Sequence, residues 1–183
     1  MKTRLRLALV GGVVFVMLSS MSTTGAFWHD EAKVDPGTVT TGSLVLLVGG
    51  QPSVYSFDAL STGNLSPGKA VRAPLTITNG GSTDLNYGLS SVMASAVSTK
   101  DQALVSSLRV TVTPDAICGE TPTAEPILNH RHLDASATFA DRPLGPSSSE
   151  TLCIEVAMDA AAPITAAAGT TTLTFTFRGD QKL

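Results

Sequence analysis

A pair of histidines has the spacing in this sequence that most invites a chemical role. His130 and His132 are two positions apart, and on a β-strand this spacing places both imidazoles on one face, with the carboxylate of Asp134 nearby. Two imidazoles and a carboxylate are ligands that zinc accepts. The common zinc peptidases, however, need two histidines one helical turn apart with a glutamate between them, and the sequence lacks that motif. A polar loop beside Pro126 is the simpler interpretation, and we predict no metal site.

No other arrangement of residues is typical of a catalytic site. Serine is frequent, but the Gly-x-Ser-x-Gly elbow of many hydrolases is absent. The pairs Gly49-Gly50 and Gly80-Gly81 are not followed by the lysine and helix start of a phosphate-binding loop, so we interpret them as turns. The sequence therefore predicts no catalytic residue, no cofactor and no enzymatic activity.

The two cysteines, Cys118 and Cys153, predict a covalent link. In an oxidising compartment an even pair of cysteines favours a disulfide. Closing a loop of about 35 residues would stabilise the fold by roughly 3 to 4 kcal/mol in the chain-entropy model. The alternative is a pair of unbonded buried thiols. Their spacing does not suggest a zinc site.

Residues 1–26 have the layout of a secretory signal. Three basic residues, Lys2, Arg4 and Arg6, precede an uncharged apolar run, and small residues follow up to Ala26. The alternative is a retained membrane anchor, but a spanning helix needs ~20 predominantly apolar residues. The apolar run here is shorter, because the polar residues Ser19 and Ser20 follow Leu18. We therefore predict cleavage between Ala26 and Phe27.

Charge limits the partners of the exported part. Loss of the three basic residues of the signal takes the formal net charge from −3 to about −6. A weakly acidic chain without a basic cluster argues against nucleic acid or anionic lipid as a partner. Contact with a membrane is expected only through the uncleaved signal, and the mature protein is expected to be secreted.

Beyond the signal, apolar residues recur with the period of two that is typical of β-strands. Five segments alternate in this way: around Leu75, Leu85 to Leu89, Leu108 to Val112, Leu152 to Met158, and Leu173 to Phe177. Residues 43–48 are more continuously apolar, as in a strand covered on both faces. The pattern predicts an all-β fold, a jelly-roll-like sandwich of two antiparallel sheets after an N-terminal signal helix.

Interruptions of this pattern predict the connections. Pro67-Gly68, Asn79-Gly80-Gly81, Pro114-Asp115 and Asp141-Arg142-Pro143 are predicted turns. Residues 94–108 can hold one short helix. The Ala-rich stretch 160–168 is broken by Pro163 and Gly169, and we interpret it as a loop.

Three stretches of the sequence resemble the TasA and camelysin family of exported proteins. The first comprises residues 24–30 with Val39-Thr40-Thr41-Gly42-Ser43-Leu44. The second runs from Leu65-Ser66-Pro67-Gly68 through Leu75 to Gly81 and Tyr87. The third is the closing strand, Leu173 to Arg178, with Gln181. The resemblance implies a jelly-roll-like sandwich, cleavage by an ER-type signal peptidase, the cell surface of a Gram-positive-type bacterium and, in some members, fibres of the biofilm matrix. The cysteine pair and the Pro-rich residues 116–146 depart from the family pattern.

The domain organisation follows as a signal (1–26), a mature N-terminal segment (27–42) and a β-sandwich (43–183). The segment carries apolar anchors at Phe27, Trp28, Val34 and Val39, and it is freed only when the signal is cut, which suits a donor strand for a neighbouring subunit. Folding back in cis is the alternative. We expect a secreted structural protein that assembles with itself or with a related matrix subunit. The alternatives are a camelysin-like surface metalloendopeptidase and an adhesin or binding module.

Overall fold

The computed structural model describes residues 42–182. The predicted signal, its cleavage site at Ala26 and Phe27, and the anchors Phe27, Trp28, Val34 and Val39 lie outside the described residues. Among those described, no helix is long and apolar enough to cross a membrane.

The described chain is an all-β sandwich of two antiparallel sheets, as the sequence predicts. Its strands are β1 (Leu46–Val48), β2 (Ala70–Asn79), β3 (Leu85–Ala94), β4 (Leu108–Thr113), β5 (Leu128–His132), β6 (Phe139–Leu144), β7 (Ser149–Met158) and β8 (Leu173–Gln181). The five-stranded sheet has the order β1-β2-β7-β4-β5, and the three-stranded sheet has the order β6-β3-β8. Apart from β1 to β2 and β4 to β5, each step along the chain crosses from one sheet to the other, as in jelly-roll arrangements.

The core lies between the sheets and is built from the alternating side chains of the central strands. Ile77, Leu152 and Val110 come from the five-stranded sheet, and Leu85 and Tyr87 come from β3; all are almost fully buried. Burying an aliphatic side chain of this size contributes about 1.5 to 3 kcal/mol. One face of each of these strands covers the core, which is why apolar residues recur at every second position in the sequence.

Helix α1 (Thr99–Ser107) lies within the predicted range 94–108. Its N-terminus has a capping box: the Ser98 hydroxyl accepts from the Asp101 amide, and the Asp101 carboxylate accepts from the Ser98 amide. The other carboxylate oxygen of Asp101 accepts from the Thr170 amide at 2.8 Å. This contact joins the start of the helix to the loop before β8, where Ile164–Ala166 forms a short 3-10 turn.

Two local predictions are wrong. Asp141-Arg142-Pro143 lies inside β6 rather than in a turn, because β6 is an edge strand, where a proline costs no ladder hydrogen bond on its solvent side. Residues 43–48 do not form a strand covered on both faces: only Leu46–Val48 pairs, at the edge of the five-stranded sheet, and its side chains are half-buried.

Candidate assembly surface

The free edge of β8 is the feature of this fold best suited to binding another chain. Among residues 42–182, β8 pairs only with β3, in a register that runs from Ala94 opposite Leu173 to Leu85 opposite Gln181. Along its other edge, no strand within residues 42–182 pairs with the backbone N–H and C=O groups of this nine-residue strand. Such an edge is a template on which a further strand can pair.

The inner face of β8 carries an apolar row that is only partly buried. Leu173, Phe175 and Phe177 pack against the core and are mostly but not fully buried, whereas the core side chains of the neighbouring β3 are almost fully buried. The Phe177 ring lies 6.4 Å from the Phe139 ring in an edge-to-face arrangement, so this row faces the interior. A strand added beside β8 would complete its burial.

Strand β1 of the opposite sheet lies on the same side of the sandwich. Its Leu46 packs against Gly179 of β8, which closes the space between the two edges at that end. Leu46 and Val48 are also only partly buried. The opening therefore has apolar side chains on both sides.

The other three edges are short or irregular. Strand β1 has three residues. Strand β5 is exposed after Leu128, shifts register against β4, and has a left-handed backbone at His130 (φ 49°). Strand β6 shifts register against β3 and contains Asp141 (φ 61°) and Pro143. Bulges, prolines, charges and shortness are the devices that guard sheet edges. The pairing of β3 with β8 also shifts register, between Leu89 and Ser91, but the extra residue, Ser90, lies on β3. Strand β8 contains no proline, and its charged side chains, Arg178 and Asp180, lie near its end.

The described chain begins beside the end of β8. The Ser43 amide donates to the Ser82 hydroxyl at 2.9 Å, and the Lys182 amide donates to the Asp84 carbonyl at 3.1 Å, so both ends of the described chain contact the turn between β2 and β3. Asn79 holds this turn: it is fully buried, its amide nitrogen donates to the carbonyls of Thr83 and Leu144, and its oxygen accepts from Gly81. A side chain at Gly81 would collide with the Ser43 carbonyl, so the close approach requires glycine.

A charged network joins the two sheets near the same end. The Tyr87 hydroxyl of β3 and the Arg142 guanidinium of β6 both donate to the Glu150 carboxylate of β7. Burial, and then the bond to Glu150, raises the pKa of Tyr87 far above its ordinary value. Burial alone would raise the pKa of Glu150, but the bonds from Arg142 and Tyr87 outweigh it, so that pKa lies below its usual range. The network fixes the three-stranded sheet, and with it β8, against its partner.

The predicted disulfide between Cys118 and Cys153 is present, with a Cα–Cα distance of 5.3 Å. It attaches the loop after β4 to the outer face of the central strand β7. The base of this loop is held by Asp115, which accepts hydrogen bonds from the backbone and hydroxyl of Thr123 and from the Ala124 amide. These contacts lower the pKa of Asp115, and the bond from the Thr123 hydroxyl has the largest effect. The disulfide therefore secures a surface loop on the opposite sheet from β8.

His130 and His132 lie on the exposed edge strand β5. The left-handed backbone at His130 and the register shift interrupt the regular alternation that would place both imidazoles on one face. His130 Nε2 lies 3.6 Å from Asp159 Oδ1, and Asp134 accepts instead from Ser136. Within residues 42–182, no three His, Cys, Asp or Glu side chains are grouped so that they could hold a metal ion. The predicted lack of peptidase activity stays a prediction.

The sequence predicts β8 as a strand, but it does not predict that β8 lies at the edge of a sheet. The alternation of Leu173, Phe175 and Phe177 with threonines shows that one face is covered, and nothing local shows which strands lie beside it.

The fold defines the class of this protein as a two-sheet antiparallel β-sandwich. No family model matches the chain, and no curated protein matches it in sequence. The geometry of the β8 edge is therefore the basis on which a function is proposed below.

Proposed function

We propose that this protein is a secreted structural subunit of a bacterial cell surface or biofilm matrix, and that it assembles by strand exchange at the free edge of β8. The observation that carries the proposal is the contrast among the four sheet edges: β8 alone, among the described strands, is a long edge strand with a partly buried apolar row. An incoming strand would gain ladder hydrogen bonds from the edge and apolar contacts from Leu173, Phe175 and Phe177.

The donor in this proposal is the mature N-terminal segment, residues 27–42. Its anchors Phe27, Trp28, Val34 and Val39 are the apolar side chains that would enter the opening beside β8. Cleavage after Ala26 by an ER-type signal peptidase frees the segment, so assembly would begin only after export. The resemblance of residues 24–30 to the TasA and camelysin family supports the same processing.

A truncation tests the proposal. Mature protein starting at Phe27 should form fibres that are visible by electron microscopy and light scattering. Protein starting at Thr41 should keep the β-sheet circular dichroism spectrum and cooperative unfolding but form no fibres. The proposal is wrong if the truncated protein forms the same fibres.

A matched variant separates loss of the anchors from loss of length. Trp28→Ala and Val34→Ala together keep the segment but remove two anchors, and should weaken assembly. Glu31→Ala and Lys33→Ala together change the same segment without removing an apolar anchor, and should leave assembly close to that of the mature protein.

A further inference from the structure

We infer that the exposed end of β5 binds an anionic polymer, one with closely spaced phosphate or carboxylate groups, and that protonation of His130 and His132 strengthens this binding as pH falls. The inference goes beyond the proposed function, because the site lies on a different sheet edge from β8 and takes a different class of partner. It follows from the charges that meet at this end of β5.

Four consecutive side chains at the end of β5 are exposed. After the buried Leu128, the strand continues as Asn129-His130-Arg131-His132, in which three side chains are basic in type. An exposed polar run on an edge strand opposes pairing with another chain. A register shift and a left-handed residue already guard this edge, so the three basic side chains are available for a second role.

Arg131 differs from the other arginines that the structure describes. Each of the other four forms an ion pair with a carboxylate: Arg72 with Glu155, Arg109 with Asp159, Arg142 with Glu150 and Arg178 with Asp180. Among residues 42–182, Arg131 forms no such pair. An exposed guanidinium can bind the planar carboxylate or the phosphate of a ligand through two parallel hydrogen bonds.

Both imidazoles adjoin a second arginine, Arg109 of β4. His132 lies directly opposite Arg109 in the register of the two strands, and side chains in such a pair are neighbours. His130 Nε2 lies 3.6 Å from one oxygen of Asp159, and Arg109 binds the other oxygen at 2.6 Å. The Arg109 side chain is 14% exposed and that of His130 is 59% exposed, so a ligand from solvent would meet the imidazole first.

Asp134 supplies a second negative charge beside the imidazoles. It follows His132 by two residues, and hydrogen bonds from Ser136 hold its carboxylate. These bonds first, and then the charges of His132 and Arg131, lower the pKa of Asp134. Asp134 is therefore ionised wherever the imidazoles change charge. Glu125, a further acidic residue, lies in the loop before the other end of β5.

The charges around the imidazoles balance at neutral pH. The arginines of the site, Arg109 and Arg131, are offset by the carboxylates of Asp134 and Asp159. Histidine gains its proton as pH falls between about 8 and 5, so protonation of both imidazoles takes the site from no net charge to about +2. A chain that is acidic overall thereby acquires a local positive patch only when pH falls.

Repeated charges on the ligand suit this strand. His130 and His132 are separated by roughly 7 Å along the strand, so a single small anion meets only part of the site. A flexible polymer can place successive anionic groups against all three basic side chains, and it releases condensed counterions as it does so. Nucleic-acid sites spread basic side chains over a whole face or helix, whereas this charge is confined to one short strand.

The site lies on the opposite side of the sandwich from the proposed assembly edge. In the five-stranded sheet β5 and β1 are the two outer strands, and Leu46 of β1 packs against Gly179 of β8. Assembly at β8 would therefore leave β5 exposed on every subunit. An array of such sites would bind one polymer more tightly than a single subunit does.

Binding of fluorescein-labelled polyphosphate and polygalacturonate to the full mature protein tests the inference, since the first supplies phosphate groups and the second carboxylate groups. Fluorescence anisotropy is measured at about pH 5.5 and about pH 7.5, below the protein concentration that gives fibres. At least one polymer should bind tighter at the lower pH by about tenfold or more, and added salt should weaken this binding. By linkage, binding near pH 6.5 should take up protons, which calorimetry in two buffers measures.

Two matched variants locate the pH dependence. His130→Ala with His132→Ala should bind weakly at both pH values, because the added positive charges are lost. His29→Ala removes the remaining histidine of the mature chain and should keep the pH dependence of the unmodified protein. Because His130 and His132 are exposed, the double variant should keep its circular dichroism spectrum.

A third variant makes the charge permanent. His130→Lys with His132→Lys should bind the same polymer at both pH values, because lysine keeps its proton throughout this range. PH dependence that survives in the double alanine variant would overturn the inference. So would the absence of binding to either polymer at about pH 5.5, or tighter binding of duplex DNA than of both. Each of these results leaves the proposed function standing, because binding is measured without assembly.

Discussion

Glu150 shows how individual polar residues hold the assembly surface in place. Its carboxylate is the shared acceptor for Tyr87 and Arg142, and the side chains of Arg142 and Glu150 are 27% and 22% exposed. Removing the shared acceptor leaves a buried hydroxyl and a largely buried guanidinium without partners. Such a loss costs more than the net value of the bonds themselves.

Glu150→Ala should therefore lower the free energy of unfolding by about 2 to 3 kcal/mol at neutral pH, measured by urea denaturation. The matched control is Arg178→Ala, which removes an ion pair with Asp180 whose side chains are 67% and 58% exposed. The control should change stability by less than about 0.5 kcal/mol. Equal effects of the two substitutions would contradict a structural role for the Glu150 network.

Asp101 makes stability depend on acid pH. The backbone bond from Thr170, followed by those from Ser98, lowers the pKa of Asp101 to about 2. Because this pKa is depressed on folding, the stabilisation is fully present above the ordinary pKa of an aspartate, near 4. It is lost as pH falls towards about 2.

The corresponding variant is Asp101→Asn. It should be less stable than the wild type at pH 6, and the difference between the two proteins should shrink as pH falls from about 4 to about 2. Thermal unfolding across this range measures the effect. A difference in melting temperature that stays constant with pH would show that the Asp101 charge has no part in joining α1 to the loop before β8.

Among the elements, regular alternation was enough to predict some strands and not others. Strands β2, β3, β4, β7 and β8 each bury one face on the core, so apolar residues recur at every second position. Strand β5 has one buried residue followed by four exposed ones, and β6 contains Pro143, so neither shows the pattern. Edge strands that are guarded by exposed polar residues or proline therefore lack the alternation of apolar residues by which a strand is predicted.

The position of β8 at an edge could not be predicted, for a different reason. Strand order depends on pairings between residues far apart in the chain, such as Leu85 with Gln181. A period of two reports that one face is covered, and it is the same for a central and an edge strand. The disulfide was predictable because two cysteines allow one pairing.

Lysine substitutions on β8 should prevent another strand from pairing with its edge. Thr174 and Thr176 are exposed on the outer face of β8, and lysines on an edge strand oppose pairing with another strand. Thr174→Lys with Thr176→Lys should raise the protein concentration needed for fibre formation by about tenfold or more, equivalent to about 1.4 kcal/mol. Sedimentation of fibres across a concentration series measures it.

The charge-matched control places two lysines on the outer face of the other sheet. Thr76→Lys with Thr78→Lys adds the same charge on β2, which is paired with β7 and, from Ile77 onwards, with β1. Assembly of this control should stay close to that of the unmodified protein. If both double variants assemble alike, the β8 edge is not the site of contact.

At the scale of the whole molecule, three features combine. Most of the described sheet edges are guarded, the long β8 edge pairs with no further described strand, and the described chain begins beside the end of β8. The Glu150 network joins the two sheets, and the turn that Asn79 holds contacts both ends of the described chain. Export and cleavage would supply the free segment, and the sandwich would supply its acceptor.

Hydrogen–deuterium exchange tests the acceptor most directly, because it reports the backbone groups that the account places in the contact. Fibres of mature protein are compared with the unassembled protein that starts at Thr41. If assembly occurs at the β8 edge, amides of β8 and of residues 27–41 exchange slowly in fibres, β8 amides exchange faster in the truncated protein, and amides of β5 and β6 exchange equally in both. Unchanged exchange in β8, or slowing in β5 or β6 instead, would contradict assembly at the β8 edge.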